Sequence, residues 1–248
     1  MASSLVAYLV YSVPAGEFRL ESFLMLVAGA AFAVFWLPAF RHPAADFVYL
    51  GLVAAVTIAS VHKRIFIGPE KIPVAALGQL LWFRLALASY LLHRPTGHIG
   101  FGFLPRAREW RTGLLVYLCC MPVLVAAIYA LKASEFRLAT NFWWRAPAVF
   151  VGIFLVVALF EEFFFRGVIL PKLRALWGTG PALAVTSVLF GLVHLRFGNR
   201  FPNWNMVALS TLAGLFFGWA YLRAGSIRAA MVTHALVVAT WRTMFPFP

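Results

Sequence analysis

Fifteen consecutive residues, Ala146–Phe160, carry only apolar side chains, one glycine and one proline. Such a run belongs in hydrocarbon, where every backbone N–H and C=O must find its partner inside the protein. Only a helix or a closed barrel meets that condition. The run lacks the apolar–polar alternation of a barrel strand, so it reads as helix. Similar runs recur along all 248 residues, of which 63% are hydrophobic and only 12% charged. That charged share is about half that of a soluble domain. The chain therefore reads as all-α, a polytopic transmembrane helical bundle.

About eight spans can be drawn, over residues 22–40, 46–61, 73–92, 113–131, 146–170, 181–195, 206–222 and 226–243. The second and sixth are short for a hydrocarbon core of about 30 Å. Residues 5–13 are too short to span and are expected at the interface. We read one membrane-embedded domain, 1–248, in which 1–145 supply spans without a motif and 146–245 carry the polar residues. The N-terminus has neither a basic n-region nor a long apolar core, so no cleaved signal is expected.

The net charge of +13 would suit nucleic acid. Here, however, the Lys and Arg residues fall mainly in short loops, where they meet lipid headgroups. They divide almost evenly between the two sides, so charge does not decide orientation. Cys119 and Cys120 are adjacent in an apolar run and form neither a zinc spacing nor a redox motif.

Into this apolar background the chain sets Glu161, Glu162, Arg166, His194, His234 and Arg84. Ionisable groups inside a bilayer are costly and point to function. Glu162 and Arg166 are i,i+4 and share a helix face, so they can pair. Glu161 points about 100° away and has no cation on its own helix. A carboxylate left unpaired in a dry site suits a general base. The bland alternative is that both glutamates only pin helices together.

Counting residues places the other groups nearby. Glu161 lies about 15 Å from the end of its span, His194 about 20 Å into the sixth span and His234 about 12 Å into the eighth. All three distances start from the same membrane side. A Glu and two His from three helices are thus expected at a similar depth, lining an intramembrane catalytic cavity. His42, His62, His93 and His98 lie in or beside loops and read as bland. Arg84 lacks an obvious partner and stays unassigned.

These residues resemble a known pattern. EEFFFR, with Glu161, Glu162 and Arg166, is similar to the EExxxR motif of the CAAX-prenyl-protease-type (CPBP or ABI) intramembrane proteases. FGLVH, ending at His194, resembles their FxxxH motif, and GSIRAAMVTHA, with His234, resembles the third. The resemblance covers residues of about 155–240 and implies a glutamate-dependent endopeptidase in a helical bundle. It implies that Glu161 and His194 activate a water, that His234 supports the oxyanion, and that Glu162 and Arg166 orient them. One position departs from the pattern: four residues after His234, where the family has Asn or Asp, stands Val238. Arg242, two turns beyond His234, is the first candidate to replace that donor, followed by Thr233, Asn205 and Asn203.

The substrate implied is a membrane-anchored protein or peptide, with a bacterial maturation or sorting peptidase of the inner membrane as the preferred reading. No cofactor is expected. A zinc enzyme using Glu161, His194 and His234 is the nearest rival, since His₂Glu is a catalytic zinc ligand set. A proton-coupled transporter and a non-catalytic scaffold are the others. The scaffold would use Gly214 and Gly218 as a helix-contact GxxxG, a pair that reads first as packing within the chain.

Overall fold

The computed structural model describes residues 2–67, 74–95, 97, 99–198 and 200–245; His98 lies outside them. The described residues are helical, with no strand among them. In chain order the helices are α1 (Ala2–Ser12), α2 (Leu20–Ala39), α3 (Pro43–Ile58), α4 (Val61–Ile65) and α5 (Val74–His93). They continue with α6 (Ala107–Ala130), α7 (Phe142–Trp177), α8 (Thr179–Leu192), α9 (Trp204–Ala224) and α10 (Ile227–Met244). Four of them, α2, α6, α7 and α9, are long and apolar enough to cross a membrane, and α3 and α8 are shorter apolar helices. The helical membrane bundle is therefore observed, and the count of eight spans is approximate.

The chain divides into two compact units, Met1–Pro95 and Thr96–Pro248. In the first, Tyr8, Ile65, Phe66 and Val74 form a core cluster. Arg94 ties the helix ends together. Its Nε donates to Asp46 Oδ1 at 2.7 Å, and its Nη groups donate to the carbonyls of Leu37 and Phe40. Those carbonyls sit at the end of α2, where an N–H donor from the next turn is missing.

In the second unit, Val116, Cys120 and Leu124 of α6 pack with Phe165 of α7, Phe190 of α8, Phe217 of α9 and Val237 of α10. Only 28% of the apolar window of α6 is buried, and the remaining apolar surface is suited to lipid. Trp143 and Trp144 stand exposed in the first turn of α7 beside Arg145, the composition of a membrane–water interface.

Helix ends follow local chemistry. The Arg106 N–H donates to Glu109 Oε2 at 2.6 Å, starting α6. This capped polar turn begins α6 at 107, six residues before the expected 113. Asn203 Oδ1 accepts from the Met206 N–H to open α9. Gly225, in the left-handed region at φ 66°, ends α9, and Ser226 Oγ accepts from the Arg228 N–H to open α10. The segment before α6 lies against that junction: the Ile227 N–H donates to the Ile99 carbonyl, and Ser226 Oγ donates to that of Gly100.

Two expected boundaries are corrected. The fifth span was expected to end near Pro171, but α7 runs on to Trp177. Pro171 cannot donate to the turn before it, and the chain absorbs this by winding Phe163–Ile169 as π-helix. The sixth span was expected to reach residue 195, but α8 ends at Leu192. His194 therefore sits in the turn beyond the helix.

Candidate active site

Glu161 and Glu162 occupy one α-helical turn, Leu159–Glu162, between two π-wound segments, Ile153–Ala158 and Phe163–Ile169. Such wide turns break the regular hydrogen-bond ladder and occur most often at functional sites. They change the angular phase of the helix on both sides of the pair.

Glu162 is fully buried, and its Oε1 is shared by two donors. Arg166 Nη1 donates to it at 3.1 Å and His234 Nδ1 at 2.7 Å. Arg166, also fully buried, turns its Nη2 to the Gly214 carbonyl at 2.9 Å. A Cβ at Gly214 would meet Ser187 of α8 at 3.2 Å and Arg166 Nη2 at 3.4 Å, so the bare glycine chiefly makes room for α8. The guanidinium stands 4.6 Å from the centroid of the Phe190 ring and 5.4 Å from that of Phe217. The charge is thus met by a carboxylate, a carbonyl and two ring faces, as a buried cation requires.

His234 is held on both sides. Its ring stacks on Phe217 at 4.6 Å with an interplanar angle of 12°, and Phe190 meets it edge-on at 5.8 Å. Donation from Nδ1 to Glu162 directs Nε2 toward Glu161, whose Oε2 lies 3.8 Å away. That separation is too long for a hydrogen bond. Glu161 Oε2 is buried without a hydrogen-bond partner, while the Glu161 side chain as a whole keeps 18% exposure. Both carboxylates leave a buried Oε2 without a hydrogen bond, but they are inequivalent: Glu162 is closed off with its Oε1 engaged by Arg166 and His234, whereas Glu161 is partly open.

His194 also packs on Phe190, with ring centroids 5.0 Å apart. Its Nδ1 donates to the Phe190 carbonyl at 2.8 Å. A carbonyl only accepts, so Nδ1 carries a proton, and in the neutral tautomer Nε2 presents the lone pair.

The structure thus brings Glu161, Glu162, Arg166 and His234 into one cluster and places His194 beside it through a shared phenylalanine. It does not bring the proposed replacement donors there. Arg242 is exposed near the end of α10, about 12 Å along the helix from His234. Asn205 donates its side-chain amide to the Leu131 carbonyl. Asn203 is used in capping α9, and Thr233 Oγ1 is directed to the Gly113 and Ala229 carbonyls. Arg242 lies two helical turns away, Asn203 and Asn205 are bonded at the start of α9, and Thr233 points about 100° round α10 from His234.

Among the described residues, no group of three or more His, Cys, Asp or Glu is arranged to hold a metal ion. Sequence reasoning missed Phe217 and the Gly214 carbonyl. Only the small residues at 214 and 218 hinted at a close approach there.

Residues 142–240 match the family model described as Rce1-like, type II CAAX prenyl endopeptidase. No curated protein and no solved structure matches the chain.

Proposed function

We propose that this integral membrane protein, whose residues 142–240 match the Rce1-like family model, is a glutamate-dependent peptidase. It hydrolyses a peptide bond near the membrane anchor of a lipidated or membrane-tethered protein. One observation carries the mechanism: Glu161, with an Oε2 free of hydrogen bonds, keeps 18% side-chain exposure, beside a fully buried Glu162 whose Oε1 is shared by Arg166 and His234. Of the two, Glu161 is the one open to a reacting water, which supports it as the general base.

In this reading Glu161 takes a proton from water as the oxygen attacks the scissile carbonyl carbon, and the carbonyl π pair moves onto oxygen. His194 Nε2 accepts the water's second hydrogen as a hydrogen bond and orients it. His234 Nε2, carrying a proton, faces the developing oxyanion, a fixed donor in a site poor in water. The C–N bond then breaks, and the proton held by Glu161 passes to the leaving amine. Glu162 and Arg166 act through His234, fixing its ring by the bond at Nδ1. A bacterial inner-membrane role in protein maturation or sorting is the biological setting we favour.

The deciding experiment compares the purified full-length protein with Glu161→Gln on a prenylated CAAX-type peptide and on a membrane-tethered sorting tail. The glutamine keeps shape but cannot take the proton, so cleavage should fall by about 10²–10⁴-fold. Unchanged cleavage by the variant would sink the assignment. A parallel arm adds a strong chelator. Retained activity supports the metal-free route, whereas loss restored by zinc would replace it.

A further inference from the structure

Arg84 is the eleventh residue of the twenty in α5, so it lies about 15 Å from either helix end. It is exposed, and it makes no hydrogen bond or ion pair among the described residues. Residues 73–92 read from the sequence as the third span, and α5 is twenty residues long with Arg84 its only Asp, Glu, Lys or Arg, so in that reading the guanidinium lies near mid-depth, where a charge is costly. Its three-methylene stem is too short to reach a headgroup from mid-helix.

Beside it runs a groove of about 390 Å³ between α2 and α5, lined by Val34, Leu81, Arg84, Ala88, Leu92 and His93, among others. Leu77, Arg84, Ala88 and Leu92 are exposed along α5 at spacings of seven and four, one continuous helix face. No carboxylate lines the groove among the described residues. Ala88, one turn from Arg84, leaves room for a neighbouring backbone, as small residues do at membrane helix contacts.

We propose that this groove receives the transmembrane helix of a partner protein that carries an aspartate or glutamate at mid-span. The carboxylate meets Arg84, and apolar side chains fill the groove on either side. A phospholipid fits less well, because its phosphate would sit at the His93 end and leave acyl chain against the guanidinium. Among the described residues, a second copy of this chain offers no free acid at mid-depth. Asp46 is paired with Arg94, Glu162 with Arg166, and Glu161 belongs to the candidate site.

The test uses the full-length protein, fluorophore-labelled in phosphatidylcholine vesicles, with an acceptor-labelled leucine-rich transmembrane peptide bearing one central Asp. Energy transfer should show binding about 5–30-fold tighter than for the same peptide with central Leu, the range of polar contacts between model membrane helices. Arg84→Leu and Arg84→Gln should each abolish that preference, and Arg84→Lys should retain it. Equal binding of the Asp and Leu peptides to the wild-type protein would overturn the proposal without reliance on any variant. So would a preference that survives both charge-removing variants, or one erased by adding phosphatidylglycerol, which would identify a headgroup site. Cleavage activity is not the readout, so the outcome is independent of the peptidase assignment.

Discussion

At the scale of residues, the site rests on an asymmetry between two adjacent acids. Glu162 and Arg166 are both at 0% side-chain exposure, and their pair is completed by His234 and the Gly214 carbonyl. Removing one partner strands the other as a buried charge. Arg166→Ala should therefore destabilise the protein by about 3–5 kcal/mol, read as a loss of thermal stability in detergent. Glu161→Gln changes an oxygen with no hydrogen bond, so its melting temperature should stay near wild type while cleavage is lost. Val238 lies half-buried four residues after His234, on the same face of α10. In our reading Val238→Asn restores an oxyanion donor and raises kcat by up to about 10²–10³-fold. Arg242→Ala, in contrast, should leave kcat unchanged, since that side chain is exposed near the helix end.

At the scale of elements, α8 and α9 approach through glycines, and each contact has a different hardness. A Cβ on Gly191 would fall 2.0 Å from Thr211 Oγ1 and 2.6 Å from the Val207 carbonyl, which is backbone. On Gly218 it would meet the tip of Leu183 at 2.2 Å, a methyl on a flexible side chain. Gly191→Ala should therefore cost about 1–3 kcal/mol by forcing the helices apart, and Gly218→Ala less. Thermal unfolding of the two variants side by side checks the order. Gly191 lies between Phe190 and the turn holding His194, so the first variant should also lower activity. The GxxxG pair at 214 and 218 is accordingly a packing device within the chain, facing Ser187 and Leu183 of α8.

For the whole molecule, the division into Met1–Pro95 and Thr96–Pro248 has a consequence for the site. Every contact that builds it, from Glu161 to His234, lies within the second unit. So does the junction in which Arg228 donates to Glu109 Oε1 at 2.8 Å and Ile227 donates to the Ile99 carbonyl. Residues 96–248 produced alone should insert in membranes with native helix content, measured by circular dichroism in detergent. Aggregation of that fragment would show that the first unit is needed for folding. The Arg84 groove belongs to the first unit, so its occupant should bind wild type and Glu161→Gln alike.

Local order was legible in the residues alone. Long apolar runs dictate helices because the bilayer leaves the backbone no other donors, and the Glu162–Arg166 pair follows from a spacing of four on one helix. Gly225–Ser226 marked the last turn for the same local reason: one residue tolerates positive φ, and the next caps. What the sequence could not settle was the rotation of one helix against another. Two π-wound segments around Glu161 and Glu162 change the helical phase, so no wheel drawn at 100° per residue carries through them. Only tertiary packing decided that Glu162, rather than Glu161, takes the His234 Nδ1–H, that Phe217 backs the imidazole, and that His194 sits past the end of α8. It also left Arg242 outside, because a side chain two turns away reaches a site only if the neighbouring helices leave it a path.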